Sequence, residues 1–292
     1  QREIHILALP LLNKKNILDK EPPKEIGFVD HLEALRWHLV RMAVALFIFS
    51  VLAYIYIEEI FDRVILAPTH KEFPSYVWLC KLGDFLHLKE LCLEDVKISF
   101  QNTQLSGQFM MSFSAAFSFG FVMAFPYIIW ELWRFIKPAL TLRELKHSRG
   151  IIFWISLLFF FGVWFGYFII TPYTVNFFAS YTLSNQFQNI IKIDDYLDSL
   201  LSLVLGTGLV FELPVAVYFL SKLGMLTPAF MKEYRKYAIV IILVIAAVIT
   251  PPDVVSQIIV TIPLWILYEI SIIISGRVQK ERIRKEKEFF SS

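Results

Sequence analysis

Three carboxylates, Glu131, Glu212 and Glu269, lie in or beside long apolar stretches of the chain, where a charge needs a reason. Glu212 is the most demanding. It sits inside Leu200–Leu220, an apolar run of about 20 residues, long enough to cross a bilayer as a helix. At 1.5 Å per residue it stands roughly 15 Å from the Lys222 end, at mid-membrane depth. A charge at that depth is expensive and faces a protein interior or a wet cavity. Two readings are open: a proton-bearing acid hydrogen-bonded to neighbouring helices for packing, or the polar point of an intramembrane pocket. Pro214, Gly206 and Gly208 loosen the same helix, a habit of spans that bend around something.

Covalent chemistry has no such foothold. HExxH, CxxC, GxSxG and phosphate-binding glycine loops are missing, and the six histidines are scattered without metal-ligand spacing. Neither an enzyme, nor a metal, nor a cofactor is expected. What remains is recognition. Glu33 and Glu144 lie in polar segments at the mouths of different helix pairs, and such carboxylates suit bidentate pairing with guanidinium groups. The alternative is that they pair with Arg36, Arg134 or Arg143 and stabilise the surface.

The elements that must hold these residues are membrane spans. The chain is 57% hydrophobic and 18% charged, with mean hydropathy +0.58, whereas soluble domains carry about 25% charged residues. A net charge of +2 with no basic stripe outside the membrane flanks argues against nucleic acid as a partner. Residues 1–26 read as a polar lead-in, 27–275 as the membrane domain and 276–292 as a charged, disordered tail. Gly27–Arg41, with Leu32, Leu35 and Leu39 on one face, reads as an interfacial helix feeding the first span.

Six spans are expected, at about 42–57, 109–131, 151–170, 200–220, 237–250 and 254–274. The segment 58–107 reads as a cap of short elements, with a helical extension ending near Pro68, and 172–197 as a second polar segment. The Gly162/Gly166 pair suits intrachain packing. Tyr237–Thr250 is short for a crossing, but charge decides in its favour. If it crosses, the N-terminal lead-in, the Lys137–Arg149 and Lys222–Lys236 loops and the basic tail all fall on one side. Basic loops stay cytoplasmic, so both termini are expected inside; five spans would put the basic tail outside. Cys80 and Cys92 both fall in the first outer loop, where either a disulfide or two free thiols is possible.

Along the chain stand, in order, His31-Leu32-Glu33-Ala34-Leu35-Arg36, Ala67-Pro68, Leu132-Trp133-Arg134-Phe135-Ile136-Lys137-Pro138, Phe211-Glu212-Leu213-Pro214-Val215 and Leu223-Gly224-Met225-Leu226-Thr227-Pro228. These motifs resemble those of the TatC family of twin-arginine protein translocase subunits. The most specific is Leu243–Gln257, with its Thr250-Pro251-Pro252-Asp253-Val254-Val255-Ser256-Gln257 core. The resemblance covers about Phe28–Ile274. It implies an all-α protein of the bacterial cytoplasmic (inner) membrane, with six spans in a concave bundle and cytoplasmic termini.

The function it implies is that of a receptor subunit that binds the twin-arginine signal peptides of folded proteins. Such a subunit would nucleate an oligomeric translocon with single-span TatA/TatB-type subunits, drawing on the protonmotive force and doing no covalent chemistry. The family's loop carboxylate falls on Glu144, with His31, Glu33, Arg36 and Phe135 as further signal-binding residues. The family writes its N-terminal motif His-Leu-x-Glu-Leu-Arg. Here Ala34 holds the acidic position and Glu33 comes one residue early, a rotation of about 100° around a helix. His38 replaces a commonly basic residue. The intramembrane glutamate matches Glu212, the outer-turn pair matches Asp253 and Gln257, and Pro68 matches the proline of the first outer segment. The competing expectation is a proton-coupled solute transporter with Glu212 as proton site. Membrane lipid is a further expected partner, through the polybasic tail.

Overall fold

The computed structural model describes residues 28–70, 72–86, 98–136, 150–184, 189–250 and 254–290. Helix α1, Phe28–Ile55, is continuous because no glycine or proline interrupts those residues, so the interfacial helix and the first span are one rod. It ends at Tyr56, and short pieces follow: α2 (Ile57–Ile60), a π turn (Phe61–Ile65), a 3-10 turn (Ala67–Thr69) and α3 (Pro74–Leu86). Helix α4 is Gly107–Ile136, and it carries Pro126 inside.

Helix α5 (Ile151–Phe165) continues through a π turn (Gly166–Ile170) into α6 (Thr171–Ser180). The third helical stretch therefore runs well past the expected end at Ile170. Thr171 eases that passage, since its hydroxyl donates to the Gly166 carbonyl at 2.9 Å. Helix α7 (Ile193–Val210) starts earlier than expected and gives way at Phe211–Glu212 to α8 (Leu213–Lys222). The break follows from Pro214, whose ring nitrogen cannot donate to the carbonyl one turn back. After α9 (Pro228–Glu233) come α10 (Arg235–Ile249) and α11 (Val254–Phe290).

Two expectations need correcting. The protein is mostly helical but not wholly so: β1 (Ser99–Gln101) and β2 (Ile190–Lys192) form a parallel pair with Phe100 opposite Ile191. That pair ties the segment before α4 to the one before α7, a pairing of distant residues that local periodicity does not encode. Nor is the tail disordered, for α11 runs unbroken to Phe290. Beyond Gly276 it holds good helix formers, and it packs along α8 and α9. The Ser221 and Ser275 hydroxyls meet at 2.8 Å, and the Arg282 guanidinium lies against Gly224, whose φ of 77° and missing Cβ make room for it.

Among the described residues, five helical stretches are long and apolar enough to cross a membrane: Glu33–Ile55, Gly107–Ile136, Ile151–Ser180, Ile193–Lys222 and Ser256–Arg284. The 15-residue α10 falls short of the usual length. It packs on α7 and α11, with Ile242 and Ala246 buried. The core centres on α5 and α7. Gly162 faces Gly208 so closely that a Cβ on Gly162 would lie 2.9 Å from the Gly208 Cα, and Gly166 meets Val204 similarly. The Gly162/Gly166 face is thus spent within the chain. Helix α1 is peripheral, packing along α4 while most of its apolar side chains stay exposed.

Candidate functional site

One end of the α1–α4 pair carries most of the residues singled out for recognition. Glu33 is exposed on the early turns of α1 and lies 3.8 Å from Arg36, so the surface pairing anticipated as an alternative is present. The Arg36 guanidinium also lies over Trp37. His31 stands on the same helix, two residues before Glu33. Phe135, on the last turn of α4, meets the His38 ring edge-on with centroids 5.9 Å apart. Ala34 and His38 are four residues apart and share a side of α1. Glu144 lies outside the described residues.

Beneath this surface is a constellation that sequence reading missed. Glu131 is fully buried, and basic groups from two helices surround it. His38 Nδ1 hydrogen-bonds Oε2 at 3.0 Å, Arg41 Nη1 lies 3.5 Å from Oε1, and Arg134 Nη1 lies 3.4 Å from Oε2. A buried carboxylate is costly unless paired; here the pairing spans α1 and α4 and holds their ends together. The Glu131–Arg134 spacing was visible in sequence as an i,i+3 pair, but nothing local announces partners some 90 residues away on α1. Next to Glu131, Trp133 is buried against Phe219 of α8.

Glu212 is the opposite case. It caps the start of α8 at the break, where its own carbonyl accepts from the Val215 and Ala216 amides at 3.0 Å. Both carboxylate oxygens are enclosed by protein yet have no hydrogen-bond partner among the described residues. The polar group beside them is the backbone of Phe159 on α5. Glu269, the third membrane-depth acid, pairs with Arg235 at 2.9 Å and so ties α11 to α10.

The remaining predicted residues lie apart from both. Pro68 is buried just past the other end of α1, and its carbonyl accepts from the Tyr76 hydroxyl at 2.7 Å. Burial pushes that hydroxyl up to about 12. The Gln257 side-chain amide donates to the Leu243 carbonyl at 3.1 Å, joining α11 to α10. Asp253 lies outside the described residues. Cys80 is disulfide-bonded; its expected partner, Cys92, also lies outside them. Among the described residues, none of the His, Cys, Asp and Glu side chains cluster as metal ligands.

Residues 30–263 match the family model described as "Sec-independent protein translocase protein (TatC)". The chain is 38% identical over 265 residues to a Sec-independent protein translocase protein TatC from Blattabacterium sp. subsp. Periplaneta americana (strain BPLAN), spanning 90% of this chain and 100% of that one. To the TatC of Helicobacter pylori (strain ATCC 700392 / 26695) it is 41% identical over 201 residues, 68% of this chain and 79% of that protein. A crystal structure of the twin-arginine translocase receptor TatC superimposes with a TM-score of 0.66 at 30% identity, covering 85% of this chain and 99% of the other.

Proposed function

The chain belongs to the TatC family of Sec-independent protein translocase proteins, and on that premise we propose how it works as the core subunit of a twin-arginine protein translocase. It is a multi-pass membrane transport protein. In our reading, the end of the α1–α4 pair receives the twin-arginine signal. One signal arginine pairs with Glu144 on the loop that follows α4. The other meets Glu33 on α1, with His31, Arg36 and Phe135 shaping the surface between them. Arginine is preferred over lysine because a planar fork satisfies both oxygens of a carboxylate. The observation that supports this reading is the placement of Phe135, at the end of α4 nearer Glu144 in sequence, against His38 on the helix that carries the exposed Glu33.

The membrane domain is residues 27–275, with α10 as a sixth, short crossing that tilts or thins the bilayer locally. Residues 1–26 and the 276–292 tail then lie in the cytoplasm, with the protein in the inner membrane. The basic residues at the α1–α4 end, Lys222–Lys236 and the α11 tail support this orientation. Glu212, Asp253, Gln257 and Pro68 are the points offered to single-span TatA/TatB-type partners, whose assembly the protonmotive force drives.

Binding of a twin-arginine signal peptide to the protein in nanodiscs tests the receptor reading, with a twin-lysine peptide and Glu144→Ala alongside. Strong preference for arginine, lost in the variant, is the expected result. Equal or absent binding of both peptides by well-folded protein contradicts it.

A further inference from the structure

The cluster around Glu131 holds more positive than negative charge, and the surplus faces outward. Glu131 supplies one negative charge from a fully buried side chain, while Arg41 and Arg134 supply two positive ones from side chains 47% and 46% exposed. His38 adds another positive charge when protonated and never removes one. Among the described residues, no second carboxylate pairs with these three bases. The two arginine Nη1 atoms each lie 3.5 Å from the same oxygen, Oε1, so they are no more than twice that distance apart. The buried acid thereby fixes where two guanidinium groups stand. Each guanidinium has five N–H donors, and each reaches the carboxylate through Nη1 alone, which leaves most of them unused among the described residues. Stacking over Trp130, at 4.9 Å, also holds Arg134 in place.

The surroundings are those of a membrane surface. Arg41 and Arg134 belong to two helices apolar enough to cross a bilayer. Trp130 and Trp37, at 42% and 53% exposed, stand beside them. Exposed tryptophan next to arginine at the end of a span marks the depth where acyl chains give way to headgroups.

We propose that Arg41 and Arg134, oriented by Glu131, bind the phosphate group of an anionic membrane lipid. Two planar forks at this separation satisfy a phosphate from two sides, as a single lysine cannot. The cation surplus selects headgroups with a net negative charge over zwitterionic ones. The acyl chains lie along the exposed apolar sides of α1 and α4. The site adjoins the signal-binding surface at His38 and Phe135 but takes its phosphate through Arg41 and Arg134, which the signal reading does not use.

The test uses the delipidated full-length protein in nonionic detergent, with bound lipid read by native mass spectrometry. Phosphatidylglycerol, phosphatidylcholine and inorganic phosphate are compared on the wild type, the Arg41→Gln/Arg134→Gln double variant and the Arg41→Lys/Arg134→Lys double variant. Phosphatidylglycerol is expected to bind about five-fold or more tighter than phosphatidylcholine, the scale set by one surface cation. The glutamine variant loses that preference, the lysine variant keeps part of it, and inorganic phosphate fails to displace the lipid. Equal binding of the two lipids by wild type, or an unchanged preference in the glutamine variant, overturns the proposal. Displacement by inorganic phosphate also overturns it, in favour of a soluble-anion site. Should the glutamine variant misfold, a photoreactive phosphatidylglycerol on wild type decides. Labels within residues 37–44 and 127–136 support the site; labels confined to other segments refute it.

Discussion

Two buried carboxylates divide the molecule. Glu131 is sealed at the α1–α4 end with three basic groups around it, all from this chain. Glu212 is enclosed at the α7–α8 break, and among the described residues both its oxygens are unpartnered. Both lie in apolar spans, and both would cost several kcal/mol as isolated charges. The chain has evolved partners for one and withheld them from the other. The first carboxylate is tied into the chain's own ion pairs; the second, in keeping with the proposed function, we read as held in reserve for something outside the chain: a partner helix or a proton. Its position at a proline-made break, where the backbone is already interrupted, fits a site that must accommodate a visitor.

The largest test of this contrast removes the satisfied acid. Glu131→Ala leaves three basic groups around an apolar hole, and breaking a buried pair costs about 3–5 kcal/mol. The lower end is expected, since Arg41 and Arg134 keep nearly half their exposure. Thermal unfolding in detergent would read the loss, and a change below about 1 kcal/mol would put Glu131 in the same class as Glu212.

A second test crowds the helices around Glu212 without touching it. Gly162→Leu forces a side chain into the Gly208 and Phe211 contact and should cost about 1–3 kcal/mol by overpacking. Wild-type stability would mean that α5 and α7 can part there. Next comes another polar group that the chain satisfies for itself. Gln257→Leu strips the Leu243 carbonyl of a donor and should cost about 1 kcal/mol, again by thermal unfolding. No loss would show that the hydrogen bond is not made in the membrane. Smallest is Glu33→Ala. The exposed Glu33–Arg36 pair is worth no more than about 0.5 kcal/mol, so stability holds while signal-peptide affinity falls. A large loss of stability would assign Glu33 to packing.

The sequence carried the apolar spans well, because hydropathy is local, and it located Glu212 for the same reason. Pro214 announced the break beside it. What escaped was everything that depends on distant residues meeting. For Glu131 only the i,i+3 neighbour Arg134 is local, whereas His38 and Arg41 are on another helix. The β1–β2 pair joins segments some 90 residues apart and too short to show alternation. The tail read as disordered from its charge, yet it is helical because α8, α9 and Gly224 give it something to pack on. Tyr237–Thr250 stays a matter of length against charge: its 15-residue helix is short, while the loop charges ask it to cross.

The most direct test of the contrast is Glu212→Gln, with thermal unfolding and export of a twin-arginine cargo measured on the same preparation in reconstituted vesicles containing the partner subunits. Removing an unpartnered charge should leave the unfolding temperature at or slightly above that of the wild type, while export falls by an order of magnitude or more. If Glu212→Gln instead exports like the wild type, or loses as much stability as Glu131→Ala, the acid is not held in reserve and the account of two differently used carboxylates is wrong.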